Sequence, residues 1–501
     1  MRTAEVRPVR ILSFGVRKTE RQASGKMRDW NDKRVVILGA ARQGLALARW
    51  LTIHGAIVTL SDKRSEAELA LARADLKDFA IQWVLGGHPI ELLDEADMLC
   101  LSGGVPTNLP IVEEAIRRGL PLSNDTQIFM EAAPCKTVGI TGSAGKTTTT
   151  MLVGKMAQTA YGDDRRQTAD SNIIVHRPSS KVYVGGNIGD PLINYVDEMQ
   201  ATDLAILEIS SFQLEQMSIS PNVAVILNIT PNHLDRHGTM EAYTAAKARI
   251  LQFQSDHDTA VLNRDDSGAW ILHSNVKGSL HSFGLSKMDE DAQGTYYEHG
   301  LLVLYEHGVD IPLLRRDQIQ LRGEHNLMNV LAAFAISHAI GLPLDAMLAA
   351  AEGFHGAEHR LELVRELHGV CWYNDSIATA PERAMAAIHS FTEPIVILLG
   401  GRDKNLPWGD LAELIHQRVD HVVLFGEAAG KIQNALGNGS TAEKPYSLDR
   451  VAGLQQAVRK AAQVAEAGDV VLLSPGGTSF DEFKDFEERG ERFRVWVQEL
   501  S

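Results

Sequence analysis

The segment KTVGITGSAGKTTTTMLVGKMA, beginning at Lys136, constrains the chain more than any other. Val138 to Thr141 read as the end of a buried strand, Gly142 to Lys146 as a tight turn, and Thr147 onward as a helix. A strand that passes through such a turn into a helix points several backbone N–H groups at one spot, where anionic phosphate oxygens are favoured. In that arrangement Gly142, Ser143, Ala144 and Gly145 form the cradle, Lys146 reaches the β- and γ-phosphates, and the hydroxyl of Thr147, followed by Thr148, faces Mg2+. The strict spacing G-x-x-x-x-G-K-[ST] is not met, because Ile140 stands where its first glycine belongs. A Gly-Lys-Thr-Thr run is still hard to explain as a bare turn, so the segment is read as an ATP site on an α/β sheet.

The same strand–turn–helix alternation flanks this segment on both sides. VVILGAARQGLALARWLTIHGAIVTLSDKR, from Val35, reads as strand, glycine turn, amphipathic helix and second strand, a doubly wound unit. Asp62 ends the second strand, where an acidic residue often meets a ribose or uridine hydroxyl. The loop G-A-A-R-Q-G has Ala41 at the middle-glycine position of the dinucleotide fingerprint, which weakens the case for NAD. DMLCLSGGVP ends at Ser102, Gly103 and Gly104, a further loop able to admit a phosphate. From about Glu358 the strands PIVILLGG, HVVLFG and DVVLLSP each end in Gly, Ser or Pro, which implies another parallel sheet with ligand loops at its C-terminal edge.

A chain of 501 residues suggests about three domains at roughly 150 residues each. The expected fold is α/β: a Rossmann-like domain over 28–130, a central P-loop ATPase with a mainly parallel sheet over 131–356, and a C-terminal Rossmann-like domain over 357–501. Residues 1–27 are basic and polar without an apolar stretch, and are expected to be a disordered extension. The polar stretch 161–180 is expected to be an exposed insertion. A net charge of −15 argues against nucleic acid as a partner. No run approaches the ~20 apolar residues of a membrane span. Three cysteines without a CxxC pair fit a reducing cytoplasm better than a disulfide framework or zinc site.

Several strand ends carry residues suited to phosphate chemistry. DLAILEISSFQLE ends a strand at Glu208, a carboxylate suited to Mg2+, which takes few carboxylates plus waters and phosphates. AVILNITPNHLDRHGTMEAYTAAKARI presents Asn228, His233, Asp235, Arg236 and His237. His233 reads as a metal or phosphate contact, against an exposed loop histidine; Lys247, on the next helix, has nothing in its spacing to distinguish it from a surface lysine. Asn326 and Asn329 lie three apart on one face at a helix start, which suggests a ligand beyond capping. In the last segment NDSIATAPERAMAAI supplies Asp375, Ser376 and Thr379, LLGGRDKNLPW supplies Lys404, and LLSPGGTSFDEFKDFEERG supplies Ser474, Ser479, Lys484 and Phe486. Hydroxyls and cations on three strand-end loops suit a small dianionic substrate.

Together TGSAGKTTT, GGNIG, EISSFQLE, NITPNHLDRHGTMEAYTAAK, GEHNLMNVLAA, EHRLE, NDSIAT and SPGGTSFDEFKDFEERG resemble the Mur ligase family, most closely the type that adds glutamate to UDP-N-acetylmuramoyl-L-alanine. The likeness runs from about Lys33 to the C-terminus. That family's phosphate loop carries a glycine four residues before the lysine, here Gly142, which accounts for the departure from the strict spacing. The resemblance implies uridine-nucleotide, ATPase and amino-acid-binding domains, ATP with two Mg2+ ions, and a monomeric cytoplasmic enzyme. It assigns Lys146 and Thr147 to ATP and Mg2+, Glu208 and His233 to the metals, and Lys247 to a carbamylated lysine that helps hold the second metal. It assigns Asn326 and Asn329 to the adenine, and Arg360 and Asp375 to phosphates and ribose. Arg42, Gln43, Asp62, Lys63, Arg64, Ser102, Gly103 and Asn187 would face the uridine-nucleotide substrate. Thr379, Lys404, Ser479 and Phe486 would surround glutamate. Glutamate-adding members usually read N-D-S-K-A-T, and the lysine that helps grip the substrate is here Ile377. That departure bears on the enantiomer, D-glutamate being the expectation and L-glutamate the alternative. Folylpolyglutamate synthase shares the ATPase domain but lacks the uridine-nucleotide domain; an NAD oxidoreductase and a non-catalytic nucleotide-binding module are the remaining rivals.

Overall fold

In the computed structural model the described residues are 28–162, 180–289, 292–404, 406–437 and 446–501. The extension 1–27 and the body of the 161–180 insertion, on which expectations were placed, lie outside them.

Three sheets follow one another along the chain. The first has five parallel strands in the order Ile81–Leu85, Ile57–Asp62, Arg34–Leu38, Met98–Leu101 and Leu122–Ser123. Val35, Ile37, Leu60 and Cys100 are buried in its core. Such continuous apolar strands are what a parallel sheet covered on both faces requires. Gly44, in the first turn of the helix Arg42–Ile53, lets that helix approach the loop: a Cβ there would sit 1.9 Å from the carbonyl oxygen of Gly39.

The second sheet has nine strands, with Lys136–Thr141 between Val223–Ile226 and Leu204–Glu208. Val182–Gly186 lies outside Leu204–Glu208, and Thr259–Asn263, Ser279–Phe283 and Gly294–Glu298 continue beyond Val223–Ile226, all parallel. An antiparallel meander then carries Leu301–Glu306 and Val309–Arg315 to the far edge. The helix after the phosphate-loop turn runs Lys146–Gly162, one residue earlier than expected. It packs with Glu324–Ala339 and Leu344–Glu352 over an apolar cluster that includes Leu152, Met156, Val330 and Phe334.

The third sheet is mainly parallel, as expected, with one antiparallel edge. Val370–Asn374, Val470–Gly476, Ile395–Gly400, His421–Phe425 and Ser447–Arg450 are parallel, but Glu362–Leu367 pairs antiparallel at the edge. The cause is local: only His368 and Gly369, both at positive φ (54° and 77°), separate Leu367 from Val370. Two residues at φ > 0 make a tight hairpin and leave no room for a crossover helix. In all three units the predicted ligand loops emerge at the C-terminal ends of parallel strands, where α/β sheets place their clefts.

Candidate active site

The phosphate loop is fixed by the neighbouring strand end. Asn228, two residues beyond Val223–Ile226, takes the Ala144 N–H on its Oδ1 at 2.8 Å and donates Nδ2 to the Ala144 carbonyl at 3.1 Å. The backbone N–H of Ser143 donates to the Asn228 carbonyl at 3.0 Å, and the Ser143 hydroxyl donates to the Thr230 carbonyl and pairs with the Tyr243 hydroxyl. Gly145 has φ +83°, and a Cβ there would lie 2.2 Å from Asn329 Oδ1. The second glycine of the loop is therefore required twice, by backbone conformation and by the asparagine packed against it.

Lysines converge below this loop. Lys146 Nζ donates to the Gly142 carbonyl at 3.0 Å, and Lys247 Nζ donates to the same carbonyl at 3.0 Å. Lys247, only 1% exposed, is no surface lysine. Burial, reinforced by the charge of Lys146, pushes its ammonium down to about 7. Burial also lowers Lys146. Glu208, buried at its strand end, accepts from the Thr147 hydroxyl at 2.8 Å on one oxygen and from Asn187 Nδ2 at 2.9 Å on the other. A hydroxyl and a single carboxylate oxygen at the mouth of a phosphate loop suit Mg2+, which completes its octahedron with phosphates and water. Among the described residues no three His, Cys, Asp or Glu side chains gather as a metal cluster.

The other expected residues of this unit fall into two groups. His233 begins the short helix Leu234–His237 with φ 53°, its ring edge-on to Phe212. A left-handed residue that is not glycine is held by its surroundings, and such strain concentrates at functional loops. His237 belongs to the scaffold instead: it meets Ser211 Oγ and Glu215, and stacks on Phe212. Asn326 donates to the Arg322 carbonyl at 2.7 Å, and Asn329 Nδ2 donates to Asn326 Oδ1 at 3.0 Å. The asparagine pair is thus anchored on protein, with Asn329 propping the loop.

In the first unit the Asp62 carboxylate is already engaged. It accepts from Arg64 through Nε at 3.0 Å and Nη2 at 2.8 Å, and from the Ala40 N–H at 2.7 Å. Burial would raise this carboxyl, but those donors hold it well below the usual carboxylate range. Arg42 and Lys63 are exposed beside it, while Ser102 is buried and Gly103 half-buried. Gln43 spans two units: its Oε1 accepts from the Gly103 N–H at 3.3 Å and its Nε2 donates to the Gly186 carbonyl at 3.2 Å, next to Asn187.

The third unit contributes Asp375, which accepts from Ser474 Oγ at 2.8 Å and from the Leu361 N–H at 3.3 Å. Burial pushes its carboxyl up to about 7. Arg360 lies between His359 (φ 60°) and Leu361 (φ 44°), and its charge is drawn to both Glu208 and Asp375. Arg360, at the junction of the second and third units, thus lies close enough to Glu208 and Lys146 for their charges to interact. Thr379 and Lys404 meet, Nζ donating to the hydroxyl at 3.2 Å. Ser479 is buried in the SPGGTS loop; Lys484 is exposed. Phe486 opens the helix Phe486–Gln498, with its ring edge-on to His359 and its carbonyl accepting from Ser376 Oγ at 2.8 Å.

This arrangement can hold a nucleoside triphosphate in one unit and present a second, anionic substrate from the next. Family models agree with that division. Residues 33–123 match the Mur ligase MurD-like N-terminal domain, 140–337 the Mur ligase middle domain, and 359–477 the Mur ligase glutamate ligase domain. A relative from Symbiobacterium thermophilum, named UDP-N-acetylmuramoylalanine–D-glutamate ligase, is 37% identical over 94% of this chain and 98% of its own. One of the same name from Trichlorobacter lovleyi is 38% identical over 93% and 99%. The chain belongs to the Mur ligase family. Among solved structures, UDP-N-acetylmuramate–alanine ligase from Thermotoga maritima shares the fold with a TM-score of 0.53 at 19% identity, covering 93% of this chain and 99% of its own. MurF from Acinetobacter baumannii does so with a TM-score of 0.53 at 17% identity, covering 93% of each.

Within this Mur ligase, Tyr243 and Arg489 were not read from the sequence as site components, and Asn228, read in its polar cluster, had no role assigned to it. Asn228 and Tyr243 hold the phosphate loop, and Arg489, fully buried, donates to Ser376 Oγ, the Ser376 carbonyl and the Gly477 carbonyl. Asn228 stood in a visible polar cluster, but its partners lie 84 residues away in sequence. The repeated acids and arginines around Arg489 gave no signal separating it from a solvated helix face.

Proposed function

We propose that this chain joins D-glutamate to UDP-N-acetylmuramoyl-L-alanine at the expense of ATP, a step of peptidoglycan synthesis. The observation that carries the reading is the convergence of Lys146, Lys247 and Glu208 with Arg360 and the Thr379–Lys404 pair from the next unit. The D-enantiomer rests on the relatives' names over nearly the whole chain. The uridine-nucleotide unit at 33–123 favours this reading over a folylpolyglutamate synthase.

A carboxylate is a poor electrophile, so the alanyl carboxylate first attacks the γ-phosphoryl group of ATP, displacing ADP and forming an acyl phosphate. The N–H groups of Gly142 to Thr148 and Lys146 hold the phosphates, and Arg360 offsets charge on the transferring group. Thr147 and Glu208, with His233 as the resemblance implies, would hold Mg2+, which would supply further charge neutralisation at those oxygens. Lys247, as a carbamate formed from CO2 with release of a proton, would lend a carboxylate to a second ion. Asn326 and Asn329 would flank the adenine, and Asp375 the ribose. The glutamate amine, oriented by Thr379, Lys404, Ser479 and Phe486, then attacks the acyl phosphate and expels inorganic phosphate. Closure of the units would exclude water from that acyl phosphate. Arg42, Gln43, Asp62, Lys63, Arg64, Ser102, Gly103 and Asn187 would take the uridine-nucleotide end.

We take the units to be 28–130, 131–356 and 357–501, and the working form to be a cytoplasmic monomer. In support, the residues named for ATP and for glutamate all belong to one chain, no described helix is long and apolar enough to cross a membrane, and the three cysteines are free. The test is phosphate release with ATP, Mg2+, UDP-N-acetylmuramoyl-L-alanine and glutamate. Lys146→Ala should abolish it with the melting temperature preserved; unchanged turnover would sink the reading.

A further inference from the structure

The NDSIAT loop has no cation at Ile377, yet it is not without one. Arg383 stands in the first turn of the helix Pro381–Ile388, which follows that loop directly. Its side chain folds back, and Nη1 lies 3.5 Å from the Ile377 carbonyl, an oxygen that also accepts from the Thr379 N–H at 2.9 Å. Arg402 and Arg494 of this unit are paired with Glu427 and Glu362, as Arg322 of the central unit is with Glu393. Arg383 is exposed and, among the described residues, forms no ion pair. Its charge nonetheless bears on Lys404, Arg360, Lys146 and Asp375, which come from four different segments of the chain. A guanidinium able to swing to solvent, but lying instead against the 377–379 loop in the field of Lys404, Arg360 and Lys146 as well as the Asp375 carboxyl, is suited to an arriving anion.

We infer that Arg383 is a substrate-contacting residue, whose guanidinium binds a carboxylate of the incoming glutamate beside the Thr379–Lys404 pair. It supplies from the helix the cation that position 377 lacks, and a planar fork suits a carboxylate better than a point charge would. A phosphate oxygen of ATP is the competing anion, since Lys146 is within the same field. The loop residues at 377–379 are the groups it touches or borders, and they favour the amino acid.

The inference rests on the ligase reading, and one set of assays separates the two. Wild-type phosphate release that does not depend on glutamate would overturn the ligase reading and this inference with it. Given glutamate-dependent wild-type turnover, Arg383→Ala should raise KM for glutamate about ten- to a hundredfold, the range expected for a lost charge-assisted hydrogen bond. KM for ATP should stay within about twofold, and so exposed a side chain should leave the melting temperature unchanged. Restoring a cation from the loop, as Ile377→Lys in the Arg383→Ala background, should recover most of the glutamate KM. An unchanged glutamate KM in Arg383→Ala, a loss falling on ATP instead, or no recovery in the double variant would each overturn the inference.

Discussion

Lys247 shows how burial changes what a residue can do. An exposed lysine is almost wholly protonated at neutral pH, but this one titrates near 7 because its ammonium is desolvated beside Lys146. About half the population then carries a free amine, the form that adds CO2. Bicarbonate enriched in 13C should give a carbamate signal that Lys247→Met abolishes; a wild-type spectrum without it would leave the second metal without that ligand. Asp375 is perturbed in the opposite sense. Its carboxyl titrates near 7 in the folded chain against 3.8 for an unburied one. Between those values the folded state binds the extra proton, so its contribution to stability falls as pH rises from about 4 to 7. Asp375→Asn has no such slope. Denaturation across that range should show wild type losing ground to the variant as pH rises, by at most about 4 kcal/mol. Parallel curves would mean that Asp375 keeps an ordinary titration.

At the scale of elements, the glycines of the turns separate the two nucleotide sites. A side chain at Gly145 meets Asn329 and is forced to φ +83°, a strain of roughly 1–3 kcal/mol. Gly145→Ala should therefore weaken ATP binding and leave the uridine-nucleotide substrate little affected. Gly44→Ala, whose Cβ would strike the Gly39 carbonyl, should do the reverse. Matched losses of both substrates in both variants would contradict this division. These elements were largely legible in the sequence. The strands ending at Thr141, Glu208 and Asp62 are apolar runs closed by the residue that matters, and the helix after the phosphate loop starts within one residue of its reading. Less legible was whatever depends on a distant partner. Lys247 has an unremarkable spacing, and only the fold brings Gly142 to it. His237 was read among chemical residues because its packing on Phe212 and Glu215 leaves no trace in sequence. The antiparallel edge Glu362–Leu367 hides behind a two-residue turn without an Asn-Gly signal.

At the scale of the molecule, the first two units share one apolar core, and polar contacts also cross between units near the site. Gln43 ties the first unit to the loop of Asn187, Arg236 reaches the Val105 carbonyl across the same boundary, and Arg360 faces Glu208 from the edge of the third. The most direct test of the whole account offers D- or L-glutamate with ATP, Mg2+ and UDP-N-acetylmuramoyl-L-alanine, and follows product mass and phosphate together. The account predicts one phosphate released for each D-glutamate joined, and negligible product with the L-enantiomer. Product with L-glutamate alone, or with some other amino acid and neither enantiomer, would contradict it.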